Sequence, residues 1–163
     1  MKDSPPPLPM LRDIGLFGGL DDSVLASFVQ ALPVVTFAPG DTVFREGELG
    51  REMYIVLGGE MEILKQSKRE QFSRVAMLGP SDWFGEMSIL DVMPRSATVR
   101  ALAPAKALKL AATDLDALYR RDIKSYAIIV LNIAREMSRR LRVADGILAE
   151  MIANVNDAYS RRA

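Results

Sequence analysis

The rhythm of apolar and polar positions changes about two thirds of the way along the chain. Before that point the apolar residues come in short runs broken by turn formers: all nine prolines lie at or before Pro104, and ten of the eleven glycines at or before Gly85. Val34–Phe37, Thr42–Phe44, Met53–Leu57, Glu60–Lys65, Ser73–Leu78, Ala97–Ala101 and Ala105–Leu110 read as strands. Gly47, Gly50, Gly58, Gly59, Gly79 and Pro80 mark the corners, and Ala38-Pro39-Gly40-Asp41 has Pro and Gly where a tight turn takes them. Many short strands at close intervals predict a sandwich or barrel that limits its exposed edges. Ahead of them, residues 1–9 read as a Pro-rich, extended lead-in. Asp21-Asp22-Ser23 then caps a short helix with the apolar face Val24, Leu25, Phe28, Val29 and Leu32, stopped by Pro33.

From Thr113 the period becomes helical. Thr113 or Asp114 caps a helix through Leu115, Leu118 and Tyr119. A second helix runs from about Ile123 to about Tyr159, roughly 55 Å at ~1.5 Å per residue. Along it Ala127, Val130, Ala134, Met137, Leu141, Ala144, Leu148, Met151, Val155 and Ala158 follow one another in alternating steps of three and four. This is a heptad a/d seam, the pattern of a two-stranded coiled coil, and it predicts a homodimer. A helix that only lay on its own domain would need two or three turns of apolar face. Arg135, Arg139, Arg140 and Arg142 read as a solvated flank rather than a nucleic-acid patch, partly offset by Asp145, Glu150 and Asp157. Gly146 lies off the seam and costs about 1 kcal/mol relative to Ala. It marks a bend, a close approach by another group, or a tolerated defect.

Composition removes chemistry rather than adding it. The 163 residues give room for one domain, and 49% hydrophobic against 26% charged residues is globular. There is no cysteine and no histidine, which excludes disulfides, thiolate metal sites, most zinc sites and any Ser-His triad. Nor is there a paired-carboxylate arrangement, so binding is expected and catalysis is not. Basic and acidic residues number 21 each, without the basic surplus of a nucleic-acid binder. Met1–Pro7 lacks the apolar core of a secretory signal, and the apolar patch Ala127–Ala134 is interrupted by Asn132 and too short to span a bilayer. The expectation is a soluble, cytoplasmic protein with no membrane contact and no metal.

The informative stretch is Trp83-Phe84-Gly85-Glu86-Met87-Ser88-Ile89-Leu90, followed by Pro94-Arg95-Ser96-Ala97-Thr98-Val99. Gly85 lets a ligand approach the backbone. The first N–H groups of a short helical turn after Glu86, at Met87 and Ser88, lack partners within the turn and can hold an anion. Arg95 adds a planar set of donors suited to phosphate. An ionised Glu86 only accepts hydrogen bonds, so beside a phosphate it suits a sugar hydroxyl. Together these residues describe a pocket for a singly charged phosphate joined to a ribose. The competing reading is structural, with Glu86 and Arg95 as an ion pair and Ser96-Ala97-Thr98 as the start of a strand.

The chain resembles the cyclic nucleotide-binding domain family over about Phe17 to Val155. Phe84-Gly85-Glu86-Met87-Ser88 with Pro94-Arg95-Ser96-Ala97-Thr98-Val99 is similar to the family's phosphate-binding cassette over its whole length. Gly40-Asp41, Glu46-Gly47, Tyr54-Ile55-Val56 and Gly58-Gly59 match its β-roll in order. Met137-Ser138-Arg139-Arg140-Leu141 resembles the start of the dimer helix in the catabolite activator branch, and kinase regulatory subunits form another branch. The resemblance implies a mainly β fold with flanking helices: an eight-stranded, jelly-roll-like β-roll (a double-stranded β-helix) over residues 10–122. That span includes the N-terminal helices, and a long dimerisation helix with a short tail follows over residues 123–163.

By the same resemblance, the Gly85 backbone and Glu86 hold the ribose 2′-hydroxyl, and Arg95 pairs with the cyclic phosphate. Ser96 bonds the phosphate or the base, and the Ala97 N–H reaches a phosphate oxygen. Ile63 and Val75 flank the base. Two hydroxyl residues contact adenine from the long helix of the catabolite activator; the aligned positions here are Ala144 and Asp145. Asp145 can accept from an adenine amino group or from a guanine edge, which leaves the base open; cAMP is expected because bacterial relatives mostly use it, with cGMP as the alternative. The chain ends at Ala163, leaving too little after the long helix for a helix-turn-helix, so direct DNA binding is not expected. The implied protein is a stand-alone, dimeric cAMP receptor that signals to an effector protein. The alternatives are a degenerate, non-binding roll kept as a dimeric scaffold, a small hydrolase, and a regulatory module of a larger channel or kinase.

Overall fold

The computed structural model describes residues 6–67 and 71–160, with side chains through Val155 at the end of the last helix. Residues 1–5 of the lead-in, the tail 161–163 and the side chains of Asp157 and Ala158 fall outside that range. The chain begins with α1 (Leu8–Arg12), a 3-10 turn (Gly15–Phe17) and α2 (Asp22–Ala31). The strands are β1 (Val34–Phe37), β2 (Thr42–Phe44), β3 (Glu52–Gly58), β4 (Met61–Gln66), β5 (Phe72–Leu78), β6 (Trp83–Phe84), β7 (Thr98–Ala101) and β8 (Ala105–Ala111). Between β6 and β7 lies α3 (Met87–Leu90), and α4 (Ala112–Arg121) and α5 (Ile123–Ser160) close the chain. All strand pairs are antiparallel, in two four-stranded sheets ordered β1-β8-β3-β6 and β2-β7-β4-β5. This is the expected β-roll, with helices at both ends.

The strand alternation divides the core in two. On β3, Met53 and Ile55 face the helices while Tyr54 and Val56 face the space between the sheets. On β6, Trp83 and Phe84 divide the same way. Leu108 and Leu110 of β8 join the helical side, and Ala105 and Ala107 the interior of the roll. A two-residue strand carries no readable period, so β6 was absent from the strands expected above. A carboxylate is also buried on the β2-β7-β4-β5 sheet. Glu62 of β4 accepts from Arg74 at 2.9 Å and Arg100 at 2.7 Å. Burial alone would raise its pKa, but the two guanidinium groups outweigh that and hold it below the ordinary range.

Several helix ends differ from expectation. α1 starts at Leu8 behind Pro7, so the last two residues of the expected extended lead-in are helical. Asp21 is the N-cap of α2 but makes no side-chain cap bond, and Asp22 pairs with Arg12 of α1 instead. The N-cap of α4 is Ala111, not Thr113 or Asp114; Asp114 lies one turn inside and accepts the Ala111 N–H at 2.8 Å.

The 38 residues of α5 continue unbroken through Gly146. Among the described residues nothing lies within 4 Å of where a Cβ on Gly146 would stand, so none of them approaches it closely. The stripe facing the roll includes the buried Ser125, Ile129, Asn132 and Ile133. Asn132, which interrupts the apolar patch in the sequence, is a polar peg: its Nδ2 donates to Leu16 O at 3.0 Å and Gly18 O at 2.8 Å. The seam faces elsewhere, and Leu141, Leu148, Met151 and Val155 are exposed. Among the described residues no helix is long and apolar enough to cross a membrane.

Candidate functional site

A cavity of about 540 Å³ opens between the roll and α5, within the ~300–1,000 Å³ usual for small-ligand sites. Its floor is Phe44, Ile63, Phe84 and Val99. Its wall is Gly85, Glu86, Met87, Ser88, Arg95, Ser96 and Ala97, and its roof is Met137, Ser138, Arg140, Leu141 and Ala144 of α5.

Arg95 is only 3% exposed and is held from several sides. Its Nη1 donates to Glu52 O at 2.7 Å, Gly85 O at 3.1 Å and Ser88 Oγ at 3.2 Å. Its Nη2 lies 3.2 Å from Glu52 Oε1, and the guanidinium carbon sits 4.0 Å from the centre of the Phe44 ring. That Nη2 is buried and has no aligned hydrogen-bond acceptor. A donor left this way is costly unless something accepts from it. The backbone is fixed as well, with the Arg95 N–H on Glu48 O at 2.8 Å and the Gly47 N–H on Arg95 O at 2.9 Å. Gly85 has φ +84°, and a Cβ there would lie 2.8 Å from Arg95 Nη1. The glycine is thus required by backbone conformation and by the approaching guanidinium.

Glu86 is 4% exposed and meets Arg140 of α5, whose Nη1 lies 3.2 Å from Glu86 Oε1. Arg140 also donates through Nη2 to Trp83 O at 2.8 Å and through Nε to Glu136 Oε1 at 3.0 Å. Burial pushes the Glu86 carboxyl above its ordinary range, and the Arg140 charge offsets only part of that. The competing structural pairing of Glu86 with Arg95 does not occur: Arg95 takes Glu52, and Glu86 takes Arg140. In α3 the Ile89 and Leu90 N–H groups both reach Glu86 O, at 3.1 and 3.2 Å. The first two N–H groups, of Met87 and Ser88, have no acceptor inside so short a helix.

Of the residues singled out from sequence, Gly85, Glu86, Met87, Ser88, Arg95, Ser96, Ala97 and Ile63 line the cavity, and Val75 and Asp145 do not. Val75 is 60% exposed on the edge strand β5. The β4–β5 register jumps from Ile63↔Ala76 to Leu64↔Arg74, leaving Val75 as the unpaired residue of a bulge and placing Ala76 opposite Ile63. Asp145 is exposed, one helical step (about 100°) around α5 from Ala144, which does line the roof. Arg140, read from sequence as solvated flank, is the roof's polar contact. Its place three residues after Met137 and one before Leu141, on the shoulder of the seam, is the signal that could have found it.

Residues 34–122 match the cyclic nucleotide-binding domain family. The chain is 34% identical over 143 residues to the CRP-like cAMP-activated global transcriptional regulator of Mycobacterium tuberculosis, covering 88% of this chain and 62% of that protein. It superposes on the crystal structure of the Thermus thermophilus catabolite activator protein with a TM-score of 0.75 at 32% identity, covering 84% of this chain and 62% of that one. It is also similar to the regulatory domain of Toxoplasma gondii PKA co-crystallised with cAMP, with a TM-score of 0.62 at 30% identity, covering 67% and 41%. The chain therefore spans less than two thirds of the length of each of these relatives.

Proposed function

The chain belongs to the cyclic nucleotide-binding domain family, and from that premise we propose that it is a cyclic-nucleotide receptor whose ligand is cAMP. One observation carries the reading. A buried guanidinium with an unsatisfied donor and a buried carboxylate stand on the same cavity, under the helix that bears the seam. A singly charged cyclic phosphate offers an aligned acceptor to Arg95 Nη2, which has only the misaligned Glu52 carboxylate beside it, and acceptors to the free N–H groups of the wall. The attached ribose presents a hydroxyl that Glu86 can accept. Ile63 and the aromatic floor offer an apolar bed for the base. The names of the mycobacterial relative and of the PKA domain both point to cAMP rather than cGMP.

Signalling follows from what holds Glu86 before the ligand arrives. A sugar hydroxyl donating to Glu86 competes with Arg140, so ligand changes the contact between wall and roof. The bistable element is α5 with α4, biased because the ligand meets α5 differently in its two positions. The exposed seam pairs two chains, and the reshaped surface passes the signal to an effector protein.

The thermal midpoint tests the reading. With cAMP at one hundred times its Kd, stabilisation is about 2.7 kcal/mol, several degrees for a chain of this size, whereas linear AMP gives no shift. Arg95→Ala stays folded and loses the shift. No shift with cAMP or cGMP at millimolar concentration would overturn the receptor and favour a scaffold. A shift retained by Arg95→Ala would refute the role of Arg95.

A further inference from the structure

The wall of the cavity is braced from outside by a residue that does not line it. Lys65 lies on β4 two positions beyond Ile63, hence on the same face of the strand and at the edge of the cavity. Its Nζ donates to Ser96 O at 2.5 Å and to Glu46 Oε1 at 2.5 Å. Glu46 is fixed in turn: its Oε2 accepts the Gln66 N–H at 3.1 Å, and its own N–H reaches Thr98 Oγ1 at 3.0 Å. Lys65 and the Gln66 N–H hold the Glu46 carboxyl below its ordinary range, so it stays an anion for Lys65.

The peptide joining Ser96 to Ala97 is planar and trans, so its C=O and N–H point in opposite directions. Anchoring Ser96 O on Lys65 fixes the Ala97 N–H to point away from the Lys65–Glu46 pair. Both residues of that peptide line the cavity, and the Ala97 N–H takes no acceptor among the described residues. The geometry points to Lys65 as a positioning residue. Through the Ser96 carbonyl it aims the Ala97 N–H at one of the two exocyclic oxygens of the bound cyclic phosphate. This rests on the receptor reading above. The Lys65–Glu46 pair is a half-exposed surface bridge, of little worth to stability, so its effect is one of orientation.

An amide aimed at one exocyclic oxygen makes the two oxygens unequal. The test is calorimetric titration of the full chain with cAMP and with its two phosphorothioate diastereomers, each carrying sulfur at a different exocyclic position. Wild type is expected to bind the diastereomers unequally. Lys65→Met should keep the wild-type thermal midpoint within about 2 °C, weaken cAMP binding roughly tenfold, and bring the diastereomer ratio towards one. Lys65→Arg, which keeps a charged donor, should restore the ratio. A Lys65→Met protein that binds all three ligands like wild type overturns the inference. So does one that loses all three by the same factor, which is the mark of a bulk charge effect. Failure of wild type to bind any of them overturns the receptor reading itself, and the inference with it.

Discussion

Gly50→Ala is a substitution outside the cavity lining that should empty the site of its cation. Gly50 does not have a positive φ, so alanine suits its backbone. The added Cβ would stand 2.5 Å from Arg95 Nη2, 2.7 Å from Nε and 2.8 Å from the guanidinium carbon. Ordinary contact needs about 3.5 Å, so the guanidinium must retreat by about 1 Å. It is already in contact with the Phe44 ring and tied by Nη1 to three acceptors, and a shift of that size takes those bonds out of range. Overpacking of this kind costs about 1–3 kcal/mol, at roughly 2–4 °C in midpoint for each kcal/mol. Binding suffers more. Two charge-assisted hydrogen bonds to a phosphate are worth about 3–6 kcal/mol, so cAMP affinity should fall at least a hundredfold. Calorimetry beside circular dichroism reads both effects. A folded Gly50→Ala protein that binds cAMP within threefold of wild type would refute the assignment of Arg95 to the ligand.

Two further outcomes are expected. Burial raises the folded-state pKa of Glu86 above the ordinary 4.5, so the stability linked to its protonation is full below about pH 4.5 and is lost as pH rises through the folded value. Wild type should therefore lose midpoint relative to Glu86→Gln between about pH 4 and pH 7, and a difference constant over that window would contradict the burial argument. Light scattering at micromolar concentration should give twice the 18.0 kDa chain mass for wild type and the single-chain mass for Leu148→Asp, since the seam tolerates no charge; a wild-type monomer would remove the seam's role.

What could be read in the sequence were features whose cause is local. Thr42–Phe44 coincides with β2 because Pro39-Gly40 fixes its start, and Val34–Phe37 coincides with β1 because Pro33 ends the preceding helix. The cassette was legible for the same reason: Gly85, Glu86, Arg95, Ser96 and Ala97 lie within thirteen positions and reach one cavity. What stayed hidden depends on partners far along the chain. Arg95 stood out as a candidate cation for the site, but its carboxylate, Glu52, lies 43 positions earlier, and no spacing rule links them. Arg140 is 54 positions from Glu86 and looks like any arginine on a charged helix face. Val75 was misplaced because a bulge shifts the register by one residue, which in a strand of period two moves a side chain from one face to the other.

The polar peg at Asn132 has a mechanical consequence. It lies eight residues from Arg140 and 28 from Ser160, about 12 Å and about 42 Å along a continuous helix. If Asn132 acts as the fulcrum, a 1 Å displacement at Arg140 swings the far end by about 3.5 Å. On the proposed receptor reading, the length of the rod would turn a small shift near the cavity into a larger stroke at its far end.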